Sequence, residues 1–435
     1  MPIDIKRWME EGRKNRFPNA GPVAHFSPES QMITLDAYAG EDLPKAMLAN
    51  DHDRAREITA TMAHELTHWA DMVGTIWGRD YLDRIYGLHD LMPGATEADF
   101  WRFVDFHDTR RRLTFPEYYQ TVSEPAPTHD FKKPWRIAFS AGREIDPHGR
   151  IDETRPILFV RFADNETGAP LIRQPLTVGS LLETIAVASE SYASYLYVKG
   201  KVPKNEQVVA LHQAGRSISA RLYDPQLTLY TAPVHLFAKM SAIKEATQAY
   251  EAAAYLAHLC LNLTADHFPG LVLPESMADW QPLFPHFKDR NDRAFAFATV
   301  AFNLEKWRTG LALESWIDAA LVKSGLPDAK TILAGAVDIM AAQRAAHRSS
   351  DLNAAHDYLL ELGVVVARGR AKRPMFGIAQ ALASIGGLPT MVDGEGEFLR
   401  FPNSTFDETR FEPMAMIERD WALDKFTRNL LTGCR

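Results

Sequence analysis

The chain has 435 residues, of which 46% are hydrophobic and 24% charged, and its net charge is −8. This length allows two or three domains with substantial cores. The acidic balance gives no reason to expect a nucleic-acid binder, and the most basic stretch, residues 368–373, is expected to be a solvated loop. The two cysteines lie far apart in the sequence, so neither disulfides nor a cysteine-based zinc site is expected.

The N-terminal segment lacks the apolar core of a signal peptide, and no run approaches 18 uninterrupted apolar residues. We therefore expect a cytoplasmic protein without a membrane span. Delivery by a leaderless secretion route remains open.

Residues 20–37 predict a β-hairpin, because two apolar runs flank the turn-forming residues 27–30. Residues 51–73 predict a long helix, since the segment has no Pro or Gly and is rich in helix-forming residues. Asp51 or Asp53 can cap its beginning, and Gly74 is suited to end it. Two more helices are expected at 81–89 and 97–112.

The long helix contains the pattern His64-Glu65-Leu66-Thr67-His68. Two histidines four positions apart project from one face of a helix, so both imidazoles can reach one tetrahedral zinc ion. Glu65 can approach the open side of that ion and take a proton from a bound water. We therefore predict a zinc site with His64 and His68 as ligands and Glu65 as the catalytic base. The simpler alternative is a surface helix whose histidines happen to have this spacing.

The pattern resembles the metal-binding motif of the zincin metallopeptidases. In that family an edge strand above the metal helix pairs with the substrate backbone, and the resemblance suggests Met32–Leu35 for this role. The longer metzincin pattern is absent, because Asp71 stands where that pattern has glycine and Gly74 where it has histidine.

A catalytic zinc site needs a third protein ligand. Residues 130–175 predict a small antiparallel β insertion, and a helix follows it. That helix contains Glu183-Thr184-Ile185-Ala186, which resembles the Glu-x-x-Ala of the gluzincin ligand helix. Glu183 is therefore the preferred third ligand, although it lies 115 residues beyond His68. Alternatively, Ser180 and Glu183 form a capping box, in which Glu183 only binds a backbone N–H.

Glu190 lies nearly on the same face of this helix and is the second choice as ligand. It could also accept a hydrogen bond from a ligand histidine, or be a solvated residue. Asp71 competes for the acceptor role, with a surface position as its alternative. The resemblance also implies a Tyr or His that stabilises the oxyanion. Nothing selects among Tyr192, Tyr195, Tyr230 and His235, and each could equally be a packed core residue.

From residue 205 onward the pattern is mainly helical, with long loops expected at 264–290 and 387–413. We expect an α+β fold, predominantly α-helical, with a zincin-like core, a small antiparallel sheet and a large helical C-terminal region. Its two domains would be a metal-binding domain at 1–200 and a helical domain at 201–435 packed on or next to it. Helices are expected at 205–222, 240–263, 290–322, 328–347, 351–368, 375–385 and 414–431.

The function that fits these features best is a zinc-dependent metallopeptidase acting on a peptide or protein substrate. One alternative is a zincin-like interaction or regulatory protein, in which the metal is structural and the helical region binds a protein partner. Another is a metal-dependent hydrolase of a non-peptide bond. The intact Glu65 favours chemistry, because a purely structural site does not need that carboxylate.

Overall fold

The computed structural model describes residues 23–115, 119, 121–122, 133–145, 149–372, 388–399, 407 and 409–433. These residues are mostly helical with two small sheets, which confirms the α+β, predominantly helical class. The helix expected at 375–385 lies outside them. None of the described helices is long and apolar enough to cross a membrane.

The helices are α1 (Asp42–Leu48), α2 (His52–Gly74), α3 (Ile76–Leu91), α4 (Phe100–Arg112), α5 (Val178–Lys201), α6 (Gln207–Arg221), α7 (Thr228–Ser241), α8 (Ala246–Leu261), α9 (Phe284–Asp289), α10 (Arg293–Phe302), α11 (Leu313–Lys323), α12 (Ala329–Ala342), α13 (Ser350–Lys372) and α14 (Pro413–Gly433). The strands are β1 (His25–Ser27), β2 (Met32–Leu35), β3 (Thr121–Val122), β4 (Arg136–Ile145), β5 (Ile151–Ala163), β6 (Pro170–Pro175), β7 (Met391–Asp393) and β8 (Phe398–Leu399).

The chain divides into two compact units. Each unit takes segments from both sides of residue 200, so the units differ from the two consecutive domains expected from the sequence. Helix α5 contributes residues to both. The first unit consists of Met1–Leu113, Tyr192–Gln207 and Val337–Arg435, and the second of Thr114–Ser191 and Val208–Ala336.

The sheet of the first unit has the strand order β1-β2-β7-β8. Strand β2 pairs with β1 in antiparallel and with β7 in parallel orientation. Met32–Leu35 therefore has a strand on each side, and its predicted edge position is wrong. The missed neighbour, β7, has only three residues and lies in a segment expected to be a loop. So short a strand carries no detectable alternation.

Helix α13 packs directly against α2 and α3 in this unit. The approach is close at two glycines. A Cβ atom on Gly363 would lie 1.9 Å from the carbonyl oxygen of Val73, and one on Gly74 would lie 2.7 Å from a methyl group of Val366. Gly74 is also the last residue of α2, as predicted. Any larger side chain at position 363 would push the two helices apart.

Arg79 lies in the same packed region and is 1% exposed. Its guanidinium donates hydrogen bonds to the carbonyl oxygens of Val73 (3.0 Å), Met340 (2.8 Å) and Leu360. Val73 and Met340 belong to the last turns of α2 and α12, where carbonyl groups lack partners within the helix and carry partial negative charge. Burial lowers the pKa of Arg79 to about 10. One cation thus ties three helices together.

Tyr86, His89 and His356 are buried between α3 and α13, and the half-buried His347 lies beside them. The ring of Tyr86 stacks on His356 at 4.7 Å, and Nε2 of His347 lies 2.9 Å from Nδ1 of His356. His89 is 2% exposed, and neither of its ring nitrogens has a hydrogen-bond partner among the described residues. Burial, reinforced by nearby Arg419 and Arg110, lowers the pKa of His89 to about 3. Burial likewise lowers the pKa of His356 to about 3.

The sheet of the second unit has the order β3-β6-β5-β4 and is antiparallel throughout, and β4, β5 and β6 lie in the segment where antiparallel strands were predicted. The helical core of this unit consists of α7, α8 and α10, which pack on one another. The helix expected at 290–322 is interrupted between α10 and α11. Gly310 there has a φ of 93°, which a helix cannot contain.

Replacing Gly363 by Ala should lower the free energy of unfolding by about 1–3 kcal/mol, because the new Cβ meets a backbone carbonyl that cannot move alone. The matched control is Gly87→Ala on α3, where an added Cβ meets nothing within 4 Å. That change should be neutral or stabilising, since alanine favours a helix. Urea denaturation of the three proteins tests this, and equal stability of the two variants would contradict it.

The unfolding free energy should decrease as the pH falls from 6.5 towards 3. Histidines with an ordinary pKa take up protons in the unfolded state over this range, while His89 and His356 in the folded state do not. Between pH 6.5 and 5, protonation of His89 in the unfolded state alone should lower the unfolding free energy by about 2 kcal/mol.

The variant His89→Leu should therefore lose less stability on acidification than the wild type, as measured by urea denaturation at pH 7 and pH 5. The control is His212→Leu at an exposed position of α6, which should match the wild type. An unchanged pH dependence in His89→Leu would refute the assignment.

Candidate metal centre

Helix α2 carries the histidine pair, and local interactions fix its beginning. The Asp51 side chain accepts a hydrogen bond from the backbone N–H of Arg54 (3.1 Å), which confirms the predicted cap. Ile58, Leu66 and Trp69 are buried, while His64 is only half-buried. His68 is 1% exposed. The helix thus enters the protein interior between its two histidines, so the simple surface-helix alternative does not fit.

The two imidazoles face each other through their Nε2 atoms, which lie 3.2 Å apart. Their ring planes are nearly perpendicular, with 80° between them. Two nitrogens bound to one tetrahedral zinc ion at 2.0–2.1 Å would lie about 3.3 Å apart. The observed separation therefore matches the spacing that one shared ion requires.

Glu183 lies near the beginning of α5 and is fully buried. The N-terminus of α5 is closed by a capping box between Thr177 and Ser180. The backbone N–H of Ser180 donates to the Thr177 hydroxyl oxygen, and the N–H of Thr177 donates to the Ser180 hydroxyl oxygen, each at 3.0 Å. Because Ser180 is the last member of this box and not the first, the expected box between Ser180 and Glu183 does not form.

His64, His68 and Glu183 form a group in which one ligand atom from each side chain lies within 4.8 Å of the other two. It is the one such group of three or more metal-binding side chains among the described residues. Two imidazoles and one carboxylate are a donor set that suits zinc and leaves one of four positions open. The residues present therefore fit the metal that the sequence predicts.

Glu65 follows the first of these histidines and is 5% exposed. A carboxylate is one of the side chains that can act as a general base for a metal-bound water. The structure thus keeps the predicted base in the same buried stretch of α2 as His68.

Glu190 does not join the metal-binding group. Its carboxylate accepts from Nη1 of Arg221 on α6 at 2.7 Å. The ion pair raises the pKa of Arg221. Of the two predicted glutamates, only Glu183 lies with the histidines.

Asp71 is fully buried, so its surface alternative is wrong. Nη1 of Arg370 on α13 donates to its Oδ1 at 2.5 Å. Burial raises the pKa of Asp71, while the positive charge of Arg370 and its hydrogen bond oppose that rise. Arg370 lies in the basic stretch expected to be a solvated loop, but the structure places residues 368–372 on α13. The signal that could have found Arg370 is its helical spacing of seven residues from the buried Gly363.

The four candidates for oxyanion stabilisation have different surroundings. Nε2 of His235 donates a hydrogen bond to the carbonyl oxygen of Leu222 (2.7 Å), and the His235 ring packs against Trp135. No described contact joins His235 to the three metal-binding side chains. Tyr195 is 44% exposed and stacks with Tyr192. Tyr230 is near α5, since its carbonyl oxygen accepts a hydrogen bond from the hydroxyl of Thr184 at 3.4 Å. His235 is thus a core histidine.

Comparison with known proteins gave no relatives. No protein-family model, curated protein or solved structure matches this chain. The evidence for the metal centre therefore comes from the motif and from its geometry.

Proposed function

We propose that the chain is a zinc-dependent peptidase, with His64, His68 and Glu183 as zinc ligands and Glu65 as general base. The observation that carries this proposal is the convergence of the three ligand side chains, whose ligand atoms lie within 4.8 Å of one another. A donor set of two histidines and one glutamate is typical of catalytic zinc, whereas structural zinc usually has four protein ligands.

Zinc bound at this site would lower the pKa of a water in the open position and polarise the substrate carbonyl group. Glu65 is suited to take the proton of that water and to pass it to the leaving amine. His64 keeps some exposure while His68 and Glu183 are buried. The substrate therefore approaches from the side of His64.

The zincin-like core, gluzincin-like in its third ligand, is part of this proposal. Helix α2 with the motif, helix α5 with Glu183, and strands β1 and β2 packed against α2 are components that such a core contains. Because β2 is paired on both sides, the proposal does not assign it to substrate binding. The substrate class is a peptide or protein.

The purified protein should contain about one zinc ion per chain, and Glu183→Ala should lose it because two histidines alone bind zinc weakly. The matched control is Glu190→Ala, seven residues further on the same helix, which should keep its zinc. Metal analysis by mass spectrometry, with competition against a chromophoric chelator, measures both. Zinc retained by Glu183→Ala at wild-type affinity would reject Glu183 as the ligand.

Glu65→Gln should reduce peptide hydrolysis by about 10²–10⁴-fold, since the amide cannot take the proton of the water. Zinc content and the circular-dichroism spectrum should stay unchanged. The assay is cleavage of a proteome-derived peptide library, read by mass spectrometry. Glu57→Gln serves as control, because Glu57 lies on the exposed part of the same helix and should leave hydrolysis intact.

The same assay distinguishes a peptidase from the other candidate functions. A zinc-loaded wild type that cleaves no peptide would overturn the peptidase proposal. Cleavage of ester or other non-peptide substrates, lost in Glu65→Gln, would then indicate a different metal-dependent hydrolase.

A further inference from the structure

Strand β4 lies at one edge of the four-stranded sheet β3-β6-β5-β4. It is 10 residues long, whereas strands in globular proteins usually have about five or six. Within the part of the chain that the structure describes, β5 is the one strand that pairs with it. An unpaired edge presents a row of backbone N–H and C=O groups to which a further strand can bind.

The hydrogen bonds of the neighbouring strands show which backbone groups of β4 point outward. The N–H of Leu176 donates to the carbonyl oxygen of Leu158 (2.8 Å), so the backbone groups of Leu158 point to β6 and those of Phe159 point to β4. Phe159 pairs with Ser140, whose backbone groups therefore point to β5. The alternate residues of β4 point away from the sheet, and they are Ile137, Phe139, Ala141 and Arg143.

A side-chain contact agrees with this assignment and marks where the open edge ends. Ile145 is the next residue of the outward series, and its N–H donates to the hydroxyl of Tyr119 at 2.7 Å. From Ile137 to Arg143, no outward backbone group has a hydrogen-bond partner among the described residues. The open edge therefore spans the central part of β4.

The middle of β4 lacks the features that usually protect an edge strand. Residues 137–142 contain no charged residue and no proline. The sheet is irregular after Arg143, but Arg143 pairs with Pro156 and Glu144 with Asp152, so the extra residues lie in β5 and not in β4. Proteins normally place charges, prolines or bulges on an edge that stays unpaired. The unprotected edge of β4 thus indicates that another strand covers it.

The side chains of β4 suit a second copy of the same strand. In an antiparallel pair centred on Ser140, Phe139 of one copy lies opposite Ala141 of the other, and Ala138 lies opposite Gly142. Each bulky side chain therefore meets a small one. Phe139 and Ala141 both point their backbone groups outward, so they would form a hydrogen-bonded pair across the interface.

The charges at the two ends of the strand favour the same arrangement. Arg136 is exposed, and no acidic side chain pairs with it among the described contacts. With Ser140 at the centre, Arg136 of each copy lies opposite Glu144 of the other. Opposite charges at facing positions stabilise a strand pair, whereas like charges destabilise it. The sequence of β4 is thus complementary to itself in charge as well as in size.

We propose that the chain forms a two-fold symmetric dimer in which the β4 strands of two copies pair in antiparallel orientation about Ser140. The two four-stranded sheets then join into one continuous sheet. An interface of this kind uses the same surface of both subunits, as two-fold symmetry requires. Strand pairing alone buries less than the roughly 1,600 Å² of a standard interface, so the dimer exchanges with the monomer. The proposal does not depend on the metal centre.

Sedimentation velocity of the full chain over a range of concentrations tests the dimer, and the wild type should shift from monomer to dimer as the concentration rises. Ala141→Pro should weaken dimerisation by about 10-fold or more, because each copy loses one outward N–H and no hydrogen bond within its own sheet. Ala141→Lys should also weaken it, by placing a charge on the edge. Ala220→Lys, at an exposed position of α6, is the matched control and should dimerise like the wild type.

Cysteine cross-linking tests the register. Ser140 of the two copies would face each other in a non-hydrogen-bonded pair, whose Cα atoms lie about 4.5 Å apart, within the range of a disulfide. Ser140→Cys should therefore form a covalent dimer on mild oxidation, as seen on a non-reducing gel. Ala138→Cys, on the same face of β4, is the control and should not, because its two copies would lie about 14 Å apart. Both variants carry Cys434→Ser to remove a competing thiol, while Cys260 is buried.

A wild type that stays monomeric at all concentrations would overturn the proposal, and an extended segment of another protein bound at this edge would then be the partner instead. Dimerisation that is unchanged in both Ala141 variants would also overturn it, since the contact would lie elsewhere. Equal cross-linking of the two cysteine variants would reject the register. Circular dichroism checks that the variants are folded. If Ala141→Pro does not fold, Ala141→Lys and the cysteine variants decide by the same criteria.

Discussion

The close approach of α13 to the C-terminal end of α2 is the contact on which the arrangement of the first unit depends. It is possible only because Gly74 and Gly363 have no Cβ atoms at the crossing. Arg79 neutralises the carbonyl ends that meet there, and Arg370 brings a positive charge to Asp71. The helix that carries the histidine pair is therefore held by residues far away in sequence. Packing and buried cations together hold this helix in place.

Charge balance links this packing to the proposed chemistry. A zinc ion with the carboxylates of Glu183 and Glu65 would sum to zero, and the pair of Asp71 and Arg370 also sums to zero. Buried charges are tolerated when they are compensated nearby. With zinc bound, this compensation would reduce the cost of keeping several ionised groups in the interior before any substrate binds. His64 is the one member of the group that is only half-buried.

Most local features were predictable from the sequence. The helix from His52 to Gly74, its cap, the antiparallel strands and the shared helix face of the two histidines all follow from patterns within a few residues. The predictions that failed concern sequence patterns that are compatible with two different local structures. The Ser180 hydroxyl caps α5 with Thr177 and not with Glu183, because the helix begins two residues before Ser180. A run of basic residues is expected to be solvated unless helical spacing from a buried residue places one of them on the buried face of a helix.

The sequence by itself determined which side chains have metal-binding chemistry and that two of them share one helix face, because helical periodicity is a local property. Only the tertiary structure shows that Glu183 lies with the two histidines while Glu190 pairs with Arg221, because the two glutamates share one helix face and differ in the neighbours that they contact. It also decided that β2 is internal and that Arg370 is buried against Asp71. Those outcomes depend on contacts between residues roughly 300 or more positions apart, for which sequence periodicity contains no information.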